Sequence, residues 1–444
     1  MRLFEKRDIQ TIMEQCHKTQ SRTNAIVSFV HEKNNIKKDW SDVYVAVKDN
    51  ISVKGTPCMA GSKILNGYIP LYDATVVKKL KEKGAQILCK TNMDELGMGA
   101  TGQNSCCGPT FNPYDVQRIS GGSSSGSAVL VATDCVPLAL ATDTGDSIRV
   151  PASYNGVVGF KPTYGRISRY GVISYASSMD TVGFMTTCIE DAWRAFELLQ
   201  GYDPNDMTSI DHSLGSINFS QSIQGKKIGI LKNALDQVTD PELKKKFYDL
   251  MNDLRRQGAI IQEVRYPQEL MDLVLPVYQV ISNSEACSNF AHLDGIRFGL
   301  QKSGLNYKEA ITQSRTEGFS FPVKRRLLLG AYSLYEENQH RIYQKAQKIR
   351  RLLVDEFQKL FDDLEFLACL TTTDIAPKIE EEFIDPSYLK LANLSGFPAL
   401  SLPFGSKIGC PYGLHLFAGA FQDEKMIEIA YQIEKIIDDK ENLS

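Results

Sequence analysis

Two loops rich in serine and glycine carry the residues best suited to chemistry. They span residues 121–127 (GGSSSGS) and 143–149 (DTGDSIR), and an apolar run lies between them. Serine in such a loop can present a hydroxyl group beside backbone N–H groups, and glycine lets the backbone take unusual angles or approach a ligand closely. Neither loop contains a histidine, so the pattern does not indicate a Ser-His-Asp triad.

A candidate base lies upstream of both loops. Lys48 follows the apolar residues 43–47 and precedes Asp49-Asn50, a pattern that predicts a buried strand ending in a turn. A lysine at the end of such a strand loses hydration, which lowers its pKa and makes its neutral amine available as a base. Lys48 and the two serine loops are therefore a candidate site for nucleophilic catalysis.

The order and spacing of Lys48, Ser123 and Ser147 resemble those of the amidase signature family. Ser147 follows Ser123 by 24 positions, and GGSSSGSA and DTGDSIRVPA are similar to the two serine loops of that family. The resemblance implies that Ser147 is the nucleophile and that neutral Lys48 is the base. It also implies that Ser123 follows a cis peptide bond and relays the proton. Non-proline cis bonds are costly and persist mostly at functional sites.

The same resemblance places the oxyanion hole on the backbone just before Ser147. Its donors would be the N–H groups of Thr144, Gly145 and Asp146, which stabilise a tetrahedral intermediate. No metal is expected in such a site.

Two positions depart from the commonest form of the family. Asp146 and Ser125 stand where that form has glycine. A carboxylate beside a developing oxyanion is unfavourable unless it points away or is paired, and Arg149 is a candidate partner for Asp146. The favoured role of Arg149 is a structural ion pair, because arginine suits fixed carboxylate contacts.

The composition is that of an ordinary globular chain. Its 444 residues carry a formal net charge of −3, without the basic excess that a self-sufficient nucleic-acid-binding surface requires. The ten cysteines form no CxxC pair, so reduced intracellular thiols are expected, and the six histidines form no HxxxH or HExxH cluster, which argues against metal catalysis. No apolar stretch approaches the ~20 residues of a membrane span.

Hydrophobic periodicity predicts an α/β fold around these residues. The order strand, helix, strand over residues 43–91 indicates parallel pairing, and we predict a large mixed, mostly parallel sheet covered by helices on both faces. In the resembled family the sheet has about eleven strands. One domain over residues 1–444 is expected, with a core of about 36–204 and 362–444 and a peripheral section of about 205–361. The predicted helices cover residues 1–35, 74–85, 128–133, 189–201, 241–259, 333–361 and 426–439.

Longer segments restrict the resemblance to one group within the amidase signature family. VAVKDNISVKGTPCMAGSKIL, KTNMDELGMG, GFKPTYGRISRYGVISYASSMD and VKRRLLLGAYSL resemble the A subunits (GatA) of the aminoacyl-tRNA amidotransferases. In that family the A subunit hydrolyses free glutamine without a cofactor of its own. The ammonia travels to the B subunit (GatB), which is expected to use ATP and Mg²⁺ to activate Glu-tRNA(Gln) and convert it to Gln-tRNA(Gln). Any tRNA would be held mainly by that partner.

The resemblance assigns the glutamine-binding residues of the family to matching positions of this chain. Arg326 in VKRRLL matches the arginine that grips the carboxylate, a contact suited to a bidentate guanidinium. Tyr278 in LPVYQV matches the pocket tyrosine, and the aspartate that meets the ammonium falls nearest Asp385 in EEFIDPSYLK. The alternative for Arg326 is a solvated position beside Lys324 and Arg325.

Partners and compartment follow from the same resemblance. We expect a heterotrimer with GatB and a small third subunit, either GatC or a mitochondrial replacement, because the region that GatC embraces is short here. That feature and Asp146 favour the mitochondrial matrix over a bacterial cytoplasm.

The acceptor, Glu-tRNA(Gln) or Asp-tRNA(Asn), stays open. So do two other functions: a stand-alone amidase acting on small or fatty amides, and a non-catalytic scaffold that has kept the fold.

Overall fold

An eleven-stranded mixed sheet organises the computed structural model, which describes residues 2–30 and 33–441. This agrees with the number of strands implied by the family resemblance. The strands are β1 Ile26–Phe29, β2 Tyr44–Lys48, β3 Gln86–Thr91, β4 Leu138–Asp143, β5 Val158–Lys161, β6 Thr181–Thr186, β7 Lys227–Leu231, β8 Ile260–Val264, β9 Phe366–Leu370, β10 Ala399–Lys407 and β11 Cys410–Ala418. Their order across the sheet is β1-β3-β2-β4-β6-β5-β10-β11-β9-β7-β8.

Helices connect most of these strands, and several match the predicted ranges. The predictions for 74–85, 189–201, 241–259 and 426–439 correspond to four of the helices below, and the helix predicted over 128–133 begins earlier, at Ser125. The helices are α1 Ile9–Thr23, α2 Thr75–Glu82, α3 Ser125–Ala132, α4 Arg149–Asn155, α5 Ile189–Leu199, α6 Lys232–Asp236, α7 Pro241–Arg256, α8 Gln268–Asn289, α9 Tyr307–Gly318, α10 Phe321–Leu334, α11 Glu336–Gln339, α12 Tyr343–Leu360, α13 Leu391–Ser395 and α14 Asp423–Glu441.

The α/β class and the mixed sheet are confirmed, but the sheet is less parallel than predicted. Among the described residues, only β2 with β3, β2 with β4, β7 with β8 and β7 with β9 are parallel pairs. The parallel pairing of β2 and β3 is the one that the strand–helix–strand order predicts. By contrast, β10 and β11 are joined by a tight turn at Ile408-Gly409, where both residues have positive φ. A connection that short permits only antiparallel pairing.

Helices cover both faces of the sheet, as predicted, because successive side chains of a strand point to opposite faces. Val45 and Val47 of β2 join the hydrophobic cluster that contains α2, α5 and α14. Ala46, between them, joins the cluster that contains α1 and α3. The small side chains of Ala46, Ala139 and Ala141 leave room for α3 to pack closely on β2 and β4.

Two helix predictions are corrected. Residues 1–35 are not one helix, since α1 begins after its N-cap Asp8 and ends at Thr23. The left-handed backbone of its C-cap Asn24 (φ 54°) terminates the helix before β1. Residues 31–32 of that range lie outside the described residues. Residues 333–361 are also interrupted, because α10 ends before Tyr335, whose backbone is extended. The Asn338 side chain donates to the Tyr332 carbonyl at that end, which replaces a helical hydrogen bond.

The division into a core and a peripheral section stays a prediction. In the part of the chain that the structure describes, no helix is long and apolar enough to cross a membrane.

Candidate active site

Lys48 ends β2, and its amine contacts the first serine loop. Its Nζ donates hydrogen bonds of 2.8 Å to the Oγ atoms of Ser123 and Ser124. It also donates to Thr142 near the end of β4, with 2.9 Å to Oγ1 and 3.2 Å to the carbonyl oxygen. The residues predicted as base and relay are therefore in direct contact. Ser124 and Thr142 are two further partners of the amine.

The environment of Lys48 favours its neutral form. The side chain is completely buried, and burial lowers its pKa to about 7 even though Asp143, Asp94 and Asp180 act in the opposite direction. No carboxylate forms an ion pair with Lys48 among the described residues. A substantial fraction of the amine is therefore uncharged near neutral pH and can accept a proton.

The first serine loop begins with two glycines and contains a cis peptide bond. The bond between Gly122 and Ser123 is cis, as the resemblance implies. Gly121 has a φ of 73°, and a Cβ on Gly122 would lie 2.0 Å from Asp94 Oδ2. Asp94 itself accepts hydrogen bonds of 3.0 and 2.9 Å from backbone N–H groups in the segment 102–104. Larger residues at 121 and 122 would displace the loop from Lys48.

Ser147 lies beside this loop, between β4 and α4. Its carbonyl oxygen accepts a 3.2 Å hydrogen bond from the N–H of Ser124, and its side chain is buried. The structure thus brings Ser147 to the loop that holds Ser123 against Lys48. Their individual roles stay predictions.

The three residues before Ser147 form a short loop with free donors. Within residues 2–30 and 33–441, the backbone N–H groups of Thr144, Gly145 and Asp146 donate no hydrogen bond to the protein. The Thr144 hydroxyl donates to Asp180 Oδ1 at 2.7 Å, which fixes the start of this loop. An oxyanion can therefore bind these N–H groups without displacing an existing partner.

Arg149 forms the predicted structural ion pair, but its partner is Asp143 and not Asp146. Its Nε and Nη2 contact the two carboxylate oxygens of Asp143 at 3.1 and 3.0 Å. Nη2 also donates to the Gly145 carbonyl oxygen at 2.7 Å. Arg149 begins α4, and Asp143 ends β4, so the backbone brings these two groups together. The expectation that Arg149 pairs with Asp146 is therefore corrected.

The partner of Asp146 is Lys390. Lys390 Nζ lies 3.0 Å from Asp146 Oδ2, and both side chains are almost fully buried. Lys390 is also ion-paired with Asp385. Burial raises the pKa of Asp146 to about 6, although Lys390 favours its ionised form. Asp385, predicted to meet a substrate ammonium, therefore already has a cation beside it.

Ser125, the second position that departs from the commonest family form, has hydrogen-bond partners on neighbouring loops. Ser125 begins α3, and its Oγ donates to the Asn92 carbonyl oxygen at 3.3 Å and contacts Thr110 Oγ1 at 3.1 Å. Both partners lie on the loops that support the serine segment.

The predicted pocket residues Tyr278 and Arg326 come from two packed helices. Tyr278 on α8 lies directly over the loop before Ser147, since a Cβ on Gly145 would be 2.8 Å from its ring. Arg326 on α10 is partly buried, and although burial lowers its pKa, Tyr175, Tyr278 and Asp94 raise it above the ordinary value. Arg326 is therefore not the solvated surface charge of the alternative interpretation.

Several residues at the site were not found from the sequence. Ser124 shares the serine loop and could have been named with Ser123 on that ground. The Tyr175 hydroxyl is 3.1 Å from Ser282 Oγ on α8. Tyr175 lies in the quoted segment GFKPTYGRISRYGVISYASSMD, and Lys390 ends EEFIDPSYLK. Neither residue was named as a site residue there. Among the described residues, no group of three or more histidine, cysteine, aspartate or glutamate side chains is arranged to hold a metal ion.

The chain is similar to known proteins over most of its length. A family model described as Amidase matches residues 9–427. The chain is 42% identical over 404 residues to the A subunit of the glutamyl-tRNA(Gln) amidotransferase of Methanosarcina mazei, covering 89% of this chain and 84% of that protein. It is 38% identical to the protein of the same name from Sulfurisphaera tokodaii, covering 97% and 94%. The crystal structure of the corresponding A subunit from Thermotoga maritima superposes with a TM-score of 0.79 at 32% identity, covering 95% and 89%.

Proposed function

The chain belongs to the amidase family, and on this basis we propose that it is the glutamine-hydrolysing A subunit of a glutamyl-tRNA(Gln) amidotransferase. The observation that carries the chemistry is the 2.8 Å contact between the buried Lys48 amine and Ser123 Oγ, beside Ser147. The relatives that bear this name, 42% and 38% identical over most of the chain, support the choice of reaction.

The reaction begins with two proton transfers. Neutral Lys48 accepts a proton from Ser123, and Ser123 takes one from Ser147, whose oxygen attacks the side-chain amide carbon of glutamine. The lowered pKa of Lys48, about 7, keeps part of the amine unprotonated at neutral pH. The N–H groups of residues 144–146 hold the oxyanion that forms, beside the buried side chain of Ser147.

The second half of the reaction reverses the proton path. The protonated Lys48 returns its proton through Ser123 to the leaving nitrogen, so that ammonia departs and an acyl-enzyme remains on Ser147. Water gives a proton to the same relay and attacks the ester carbon. Lys48 then returns that proton through Ser123 to the Ser147 oxygen as glutamate is released. The two steps use one base in both directions, so this half-reaction needs no cofactor.

Arg326, Tyr278 and Asp385 recognise the amino acid part of glutamine. Arg326 binds the α-carboxylate, since a guanidinium on a partly buried helix face is suited to that contact. Tyr278 packs between the pocket and the loop before the nucleophile. Asp385 faces the α-ammonium, and Lys390, its present ion-pair partner, must share it with the substrate.

Ammonia passes to a partner B subunit, GatB, which binds ATP and Mg²⁺ and holds the acceptor Glu-tRNA(Gln). The net charge of −3 agrees with a subunit that does not bind tRNA mainly by itself. A small third subunit, GatC or a mitochondrial replacement, completes a heterotrimer. The three similar proteins come from archaea and a bacterium, so a mitochondrial location rests only on the expectation from the sequence.

The test is the release of ammonia and glutamate from glutamine by the chain purified with its partners, with Ser147→Ala as the blank. We expect release by the wild type and none above background by the variant. Arg326→Met should raise the KM for glutamine by roughly 10- to 100-fold, since a charged hydrogen-bonding contact is lost. Arg325→Met is the matched control, because Arg325 is the adjacent and exposed arginine of α10.

Cleavage of a simple amide such as propionamide separates this proposal from the stand-alone amidase. Arg326→Met should leave the KM for propionamide unchanged, because that amide has no α-carboxylate. A wild-type complex that cleaves propionamide but leaves glutamine intact would replace the amidotransferase proposal with the stand-alone amidase.

A further inference from the structure

A buried lysine lies between two carboxylates next to the nucleophile loop. Lys390 is the last residue of the short 3-10 turn Ser387–Lys390, which precedes α13, and its Nζ contacts Asp146 at 3.0 Å and Asp385 on the other side. The same Nζ lies 5.5 Å from the centroid of the Tyr278 ring. Among the described residues, Lys390 is the only cation in an ion pair with Asp146.

The position of Asp146 makes this counter-ion significant for catalysis. Asp146 supplies one of the N–H groups of the oxyanion hole and at the same time carries a carboxylate. An unpaired negative charge there would oppose the charge that develops in the transition state, and in a buried site this opposition is poorly screened. Arg149 is not ion-paired with Asp146, because its guanidinium is bound to Asp143.

We propose that Lys390 is a positioning residue for amide hydrolysis, which pairs with the Asp146 carboxylate and so lets an aspartate stand directly before the nucleophile Ser147. Lys390 acts through Asp146 and need not touch the substrate. The inference deepens the proposed function and rests on it for the nucleophile Ser147, for the oxyanion hole at residues 144–146 and for glutamine as the amide. Any amide substrate gives an oxyanion, so a counter-ion for Asp146 is needed with every such substrate.

Several charged or titratable groups act on the Asp146 carboxylate, and they determine how the effect varies with pH. They are Lys390, Asp385, Asp143, Arg149, Tyr278 and Tyr154. Without Lys390, Asp146 is partly protonated in acid, where its charge disappears, and ionised in alkali, where its charge is uncompensated. The catalytic defect should therefore grow as the pH rises. A loss of activity caused only by damage to the structure would not change with the ionisation of Asp146.

The experiment compares kcat and KM for glutamine in three variants between about pH 6 and about pH 9. Lys390→Met should lower kcat by roughly 10- to 100-fold, more at the alkaline end, with a smaller change in KM. Lys390→Arg, which keeps the charge, should retain most of the activity. Lys390→Met combined with Asp146→Asn should return kcat to within about threefold of the wild type.

The matched control is Lys407→Met. Lys407 also lies between two carboxylates, at 2.5 Å from Asp240 and 3.1 Å from Asp374, but at the end of β10 and without contact to the serine loops. Its loss should leave kcat and its pH dependence as in the wild type.

The proposal is overturned if Lys390→Met keeps the wild-type kcat, if its loss of activity is equal at every pH, or if Asp146→Asn fails to restore it. Circular dichroism and thermal unfolding show whether each variant folds. If Lys390→Met does not fold, Asp146→Asn is compared with and without Lys390→Met, where equal kcat supports the proposal and a lower kcat in the double variant contradicts it. A wild type inactive on glutamine contradicts the proposed function instead, and the same variants are then compared on propionamide.

Discussion

At the scale of single residues, the site combines a buried amine with hydroxyl groups that it can deprotonate. Lys48, Ser123 and Ser147 could be named from the sequence because each lies in a dense local motif, and the structure brings them to one place. Lys390 could not be named, because 244 positions separate it from Asp146. Nothing in the sequence around either residue indicates that the packing of the C-terminal segment brings them into contact.

The pKa of Lys48 sets the pH dependence of the reaction. Its folded pKa of about 7 is below the ordinary value for lysine, so the amine is mostly protonated at lower pH and mostly neutral at higher pH. We expect kcat/KM for glutamine to rise with pH through a midpoint near 7 and then to level off. Lys48→Met should reduce kcat by roughly 10³-fold or more at all pH values.

The control for this profile is Lys161→Met. Lys161 is a second buried lysine whose pKa burial lowers to about 7, but its Nζ donates to the Pro162 carbonyl oxygen and not to a serine. The midpoint near 7 should persist in that variant. If the midpoint near 7 is lost in Lys161→Met but kept in Lys48→Arg, the pH profile does not arise from the titration of Lys48.

At the scale of secondary structure elements, two kinds of segment build the site. The strand β2, the loop before α3 and the loop after β4 hold the reacting groups, and the helix pair α8 and α10 holds Tyr278 and Arg326. The helix predicted over 333–361 proved to be three pieces, because periodicity in charged residues does not reveal where a side chain such as Asn338 replaces a helical hydrogen bond. The antiparallel pairing of β10 with β11 depends likewise on the two turn residues between them.

The close packing of α8 and α10 should control substrate affinity. A Cβ on Gly330 of α10 would lie 2.0 Å from the Asn283 carbonyl oxygen of α8, so Gly330→Ala must move the helices apart. We expect a lower thermal unfolding temperature and a KM for glutamine raised several-fold, because Arg326 and Tyr278 no longer keep their spacing. Initial-rate kinetics and calorimetry measure both effects.

A suitable control for this change is Gly419→Ala. A Cβ at Gly419 would meet Phe361 at 3.6 Å, an ordinary contact distance. That variant should keep the wild-type KM. An unchanged KM in Gly330→Ala as well would show that the spacing of α8 and α10 does not determine affinity.

At the scale of the whole molecule, one buried arginine joins distant parts of the chain. Arg149 binds Asp143 near the nucleophile loop and also donates to the Leu389 carbonyl oxygen and to Asn393 Oδ1, more than 200 positions later. The sequence predicted the arginine and its structural role but not these partners, since they depend on the return of the C-terminal segment to the sheet. The α/β class was predictable because it follows from the order and periodicity of the elements.

Removal of this arginine should destabilise the fold. Arg149→Met leaves the Asp143 carboxylate buried without its counter-ion, which costs about 3–5 kcal/mol. We expect a clearly lower thermal unfolding temperature in calorimetry. Arg194→Met is the control, because the ion pair of Arg194 with Glu190 is partly exposed and such pairs contribute little. Equal effects of the two substitutions would contradict a structural role for Arg149.

The most direct test of the central claim is peptide mass mapping of the enzyme after an acid quench during glutamine turnover. We expect a glutamyl ester on the peptide that contains Ser147 in the wild type, and no adduct in Ser147→Ala. An ester on Ser123 instead, or continued glutamate release by Ser147→Ala at the wild-type rate, would contradict the assignment of Ser147 as the nucleophile.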